Sequence, residues 1–126
     1  MTKTTTLALC LCLSGFCFFI YGCGKKVDET KSISEIKSEV EEMSIKDLKL
    51  TAEKYKNSIA EKNKEVEKLT AKLKDIPVGE LMGEKSKEIK DEIEKTGKSI
   101  NALKERFNIY LEKLKEKGED ISVLKI

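Results

Sequence analysis

Two long apolar seams constrain this chain more than any other feature of it. Ile45, Leu48, Ala52, Tyr55, Ile59, Val66, Leu69, Leu73 and Ile76 recur at alternating three- and four-residue spacing, and Ile89, Ile93, Ile100, Leu103, Phe107, Tyr110 and Leu114 repeat the pattern. This is the heptad signature of a helix with one narrow apolar stripe, and a stripe so narrow must be covered by another helix. One polar residue interrupts each seam: Lys62 in the first and Thr96 in the second. Pro77, the only proline, ends the first seam, because proline disfavours helical geometry in the residue before it and lacks the amide that the helical ladder needs. Gly79 and Gly83 make the segment IPVGELMG a turn.

Two seams joined by a short turn fold back as an antiparallel hairpin, with arms about 45 Å long at 1.5 Å per residue. Centring the turn near residues 80 and 81 sets Tyr55 level with Phe107, Ala52 with Tyr110 and Ile59 with Leu103; a register shifted by one heptad remains open. Lys62 then lies near Ile100, its methylenes packed and its ammonium in water. Gly97 falls mid-helix and reads either as a close backbone approach or as a tolerated weak point.

A shorter stripe precedes the hairpin. Ile33, Ile36, Val40 and Met43 share one face of an amphipathic helix, and Ser32 with Glu35 can form a capping box at its start. The stripe slips out of phase after Met43. There Ser44 and Asp47 have the spacing of a second capping box, and Met43 and Leu48 that of a hydrophobic staple, so a new helix begins at about Ile45. Gly118, following Lys115 and Lys117, reads as a left-handed cap that ends the last helix. The expected fold is all-α: a short amphipathic helix, then a long antiparallel two-helix hairpin resembling a coiled coil. Helices are expected at about 33–43, 45–76 and 84–117, with the turn at about 77–83.

Glu61 with Lys64, Glu65 with Lys68, Glu92 with Lys95 and Glu112 with Lys115 are spaced to pair on the helix surfaces, each contributing a few tenths of a kcal/mol. The seams alone bury too little to order both arms. Further burial is expected from the first helix laying Ile33, Ile36 and Val40 across the hairpin groove and from the C-terminal ISVLKI folding onto the base, with self-association as a third source.

The N-terminal 24 residues carry a different signal. A polar head with Lys3 leads into an apolar run from Leu7 to Ile20, then Gly22 and Cys23. The layout resembles the lipobox export signal of bacterial lipoproteins, in which a branched apolar residue and a small residue precede the cysteine that becomes lipidated; Ile20 and Gly22 fill those positions, and Tyr21 is bulkier than the pattern prefers. The resemblance implies a signal peptide over 1–22, a lipid on Cys23 and a tether over 23–32 leading into the helical domain of 33–126. It implies membrane anchoring at the cell envelope, periplasm-facing where there is an outer membrane. The alternative is an uncleaved N-terminal transmembrane anchor, for which the run is short of the ~20 residues that span a bilayer. All four cysteines lie at or before position 23, so the domain beyond has no internal disulfide.

Charge and chemistry narrow the function classes. With Lys3 set aside, basic residues exceed the 23 acidic ones by one, which gives no electrostatic footprint for nucleic acid. The chain has no histidine, no glycine-rich phosphate loop and no HExxH, so no catalytic or metal-ligating residue, cofactor or small-molecule substrate is expected. At the hairpin tip, Val78, Leu81 and Met82 are either a plug for the end of the core or a docking patch for an envelope partner. Met82, one heptad before Ile89, favours the plug. Ile121, Val123, Leu124 and Ile126 pose the same choice at the base, where packing is favoured. The expected function is a lipid-anchored structural or protein-interaction protein of the cell envelope without catalytic activity. The alternative is a small regulator or inhibitor that presents a helical face to an envelope enzyme or transporter.

Overall fold

The computed structural model describes residues 27–126; Ile20, Gly22 and Cys23 lie outside them. Three α-helices, α1 (Ile33–Glu42), α2 (Ile45–Lys74) and α3 (Glu84–Glu116), account for most of the described residues, and none of these residues forms a strand. The starts of α1 and α2 follow from their caps. The Ser32 side chain accepts from the Glu35 amide while the Glu35 carboxylate accepts from the Ser32 amide at 2.9 Å, a complete capping box. Ser44 caps α2 by accepting from the Asp47 amide at 3.2 Å, but here the return contact runs from the Ser44 hydroxyl to the Asp47 carboxylate at 2.6 Å. Gly118 takes a φ of 78° beyond α3. Its amide donates to the Lys115 carbonyl at 2.9 Å and that of Glu119 to Leu114 at 3.0 Å, the Schellman pair that closes a helix C-terminus.

The arms α2 and α3 pack antiparallel along the two seams. Leu48, Ala52, Tyr55 and Ile59 from α2 meet Ile100, Leu103, Phe107, Tyr110 and Leu114 from α3 in one buried cluster. The ring partner of Tyr55 is Tyr110, at a centroid distance of 5.3 Å, one turn along from the Phe107 expected level with it. Burial pushes both phenols above their ordinary pKa. α1 lays Ile36 and Val40 into the same cluster, covering the half of the hairpin nearest its open base. The chain beyond α3 runs back along α2: Leu124 is buried, Ile121 packs on the core, and the Lys56 ammonium donates to the Val123 carbonyl at 2.8 Å. Val123 and Ile126 stay exposed, so only half of the C-terminal apolar set joins the base.

Several expectations are corrected. α2 ends at Lys74, and Ile76 is buried in the turn that follows. Ile45, the first residue of α2, is exposed and does not join the seam. Among the described residues, the four expected intrahelical pairs do not form; most ion pairs join different elements, including Lys49 with Glu119, Lys62 with Glu29 and Lys113 with Glu41. A Cβ on Gly97 would meet nothing within 4 Å, so this glycine serves no close approach.

Candidate interaction surface

The tip is built by Pro77. With its extended ψ of 143°, it throws the chain out of the α2 axis, and Val78–Glu80 wind one 3-10 turn in which the Glu80 amide donates to the Pro77 carbonyl at 2.8 Å. The Gly83 amide then donates to the Glu80 carbonyl at 2.9 Å, and a Cβ on Gly83 would sit 3.1 Å from that same oxygen, which favours glycine there. Val78 is 85% exposed and Met82 96% exposed, while Leu81 is half-buried. The plug expectation therefore fails for Val78 and Met82. The physical reason is phase: Met82 precedes Gly83, the N-cap of α3, and so lies outside the helix whose heptad spacing it matches. The seam position at that level belongs to Ser86, fully buried with its hydroxyl unpartnered. Ile76 and Ser86 are the buried residues on either side of the turn, and Val78 and Met82 face outward.

A second constellation sits halfway down the hairpin. Residues 27–31, expected as a tether, are pinned across both arms. Val27 packs on the core. The Glu29 carboxylate accepts from the Lys62 ammonium on α2 at 3.1 Å and from the Ser99 hydroxyl on α3. Arg106 donates from Nε at 3.0 Å and from its second terminal nitrogen at 2.8 Å to the Lys31 carbonyl, and its remaining terminal nitrogen donates to Ala102 at 2.8 Å. Partial burial pushes the Glu29 carboxyl up, but hydrogen bonds from Ser99 and Lys62 and the charges of Lys62 and Arg106 outweigh it, holding the group below the ordinary carboxylate range. This strap was not anticipated from the sequence. The signal available for it was the polar break in both seams: Lys62 binds the strap directly, and Thr96 lines the groove that Glu29 shares with Lys62 and Ser99.

Among the described residues, no group of three or more acidic, cysteine or histidine side chains is arranged to hold a metal ion, and no helix is long and apolar enough to cross a membrane. No protein-family profile, curated protein or solved structure matches the chain.

Proposed function

We propose that the chain is a lipid-anchored protein of the cell envelope that works by protein interaction, with the hairpin tip as its docking end. Cys23, preceded by Ile20 and Gly22, carries the lipid, and residues 1–22 are the export signal that is removed. The anchor fixes one part of the molecule at the membrane, and the two arms carry the tip away from that point. The observation that carries the docking role is the exposure of Val78 and Met82 on a turn braced by consecutive hydrogen bonds. Large apolar side chains so exposed, with Leu81 and Pro77 beside them, form a small patch that a partner can bury without unfolding anything.

A photo-crosslinking residue at Met82, compared with one at Lys64 on the outward face of α2, tests this in intact cells. A discrete adduct from Met82, absent from Lys64 and lost with Val78→Asp, is the expected outcome. Equal adduct patterns from both positions would reject the tip as the docking end. If the adduct contains an envelope enzyme or transporter whose activity changes when this chain is deleted, the interaction is regulatory.

A further inference from the structure

We infer that the anchored hairpin lies along the lipid surface instead of standing away from it, because its N-terminal chain leaves from the middle of the flank. The inference rests on the anchoring at Cys23 proposed above and adds the orientation and the face that meets the leaflet.

The exit point is fixed by the strap. Val27 packs on the core, Glu29 bridges Lys62 and Ser99, and Arg106 grips the Lys31 carbonyl, after which α1 runs toward the base, where Lys113 meets Glu41 at 2.6 Å. Val27 and Glu29 share a shallow groove with Ser58, Glu61, Lys62 and Glu65 on α2. At 1.5 Å per residue, Lys62 stands about 25 Å along α2 from Ile45 and about 18 Å before Lys74. Cys23 is four peptide units upstream of Val27, so a fully extended chain reaches at most about 14 Å.

These lengths exclude an upright molecule. Raised with its tip outward, the hairpin would place its base about 25 Å below the exit point, farther than the ~14 Å of available chain, and would drive Lys46, Asp47 and Glu119 into the leaflet. Inverted, it would drive in Asp75 and Glu80 with the tip. Burying those charges in hydrocarbon is prohibitive. The long axis is therefore held within roughly 35 to 50° of the membrane plane by the ratio of tether to arm. The flank bearing Ser58, Glu61, Lys62 and Glu65 meets the leaflet. Its mixed charge makes the covalent anchor, and not attraction to anionic lipid, the source of binding. The tip is then raised no more than about 35° out of the membrane plane, beside a partner embedded in or lying on the same bilayer.

The chain from residue 23 onward includes every described residue, contains Cys23 as its sole cysteine and has no tryptophan. It can therefore be coupled through Cys23 to a maleimide phospholipid in phosphatidylcholine vesicles, with one tryptophan introduced at the tip, Met82→Trp, or at the base, Lys46→Trp, both exposed positions. Energy transfer to headgroup acceptors should be comparable from the two sites. Releasing the strap with Glu29→Ala and Arg106→Ala, with helicity checked by circular dichroism, should lower transfer from both. Transfer several-fold weaker from Met82→Trp than from Lys46→Trp would overturn the inference, as would an unchanged result after strap release in a folded chain. Because coupling is chemical, this outcome is independent of whether Cys23 is lipidated in cells, which fatty-acid labelling decides.

Discussion

Replacing Ile59 by aspartate separates packing of the seam from mere helix propensity. Ile59 is fully buried, as is Leu103 across the hairpin, and both belong to the single core cluster. Removing the isoleucine forfeits about 2 to 3 kcal/mol of apolar burial, and an unpaired carboxylate in its place adds several kcal/mol more. A domain of this size has a total stability of about 5 to 15 kcal/mol, so Ile59→Asp should remove most of it at pH 7. Even a 4 kcal/mol loss lowers Tm by roughly 15 to 30 °C for a chain of about 100 residues. Lys64→Asp, on the exposed face of the same helix, should stay within about 0.5 kcal/mol of the parent. The effect at position 59 carries its own pH signature. Burial raises the introduced carboxyl's pKa in the folded state, so the protonated form is favoured there, and part of the lost stability returns as pH falls below that raised value. Ile59→Asn loses packing without that recovery. Thermal melts by circular dichroism at pH 4 and pH 7 read all three variants. Equal shifts for positions 59 and 64, or a silent Ile59→Asp, would refute the buried seam.

Two glycines should respond in opposite directions to alanine. Gly97→Ala fills open space in a helix and should stabilise by about 0.5 to 1 kcal/mol, whereas Gly118→Ala forces a side chain onto a φ of 78° and should destabilise by about 1 kcal/mol, both measured by urea unfolding. Tyr55 and Tyr110 are the only tyrosines from residue 23 onward, and burial raises both in the folded state. The folded chain thus keeps protons that the unfolded chain releases near pH 10, so this contribution to stability is complete below that pH and falls above it. Phenolate absorbance should rise only together with loss of helix; ionisation near pH 10 with helicity intact would contradict the stacked pair.

The helical hairpin was legible because its signals are local and redundant. Ser32 and Ser44 mark helix starts through spacing alone, Pro77 marks a stop by lacking an amide, and Gly118 marks another by tolerating positive φ. The tip misled because heptad counting runs straight through Gly83, although helical phase begins only there; Ser86, a small polar residue, occupies the seam position that apolar patterning overlooks. The strap was illegible for a different reason. Val27 to Lys31 have no periodicity, and their partners Ser99 and Arg106 are about 70 residues away in the chain, joined to them only once the hairpin has closed. Seam spacing marks Lys62 as a snorkelling interruption, yet its side chain is only 26% exposed and its ammonium is held by Glu29.

The proposed lipid on Cys23 underlies the proposed envelope placement, the docking tip and the side-on geometry alike, and metabolic labelling with an alkyne fatty acid tests it most directly. The full chain and its Cys23→Ser variant, expressed at equal levels in a bacterial host, are compared for label and for retention in salt-washed membranes. Label and retention should both accompany the wild-type chain and be lost in Cys23→Ser, since two or three acyl chains hold a protein through such a wash where one does so only marginally. Equal labelling of the two chains, or none in a correctly exported wild type, would contradict the account.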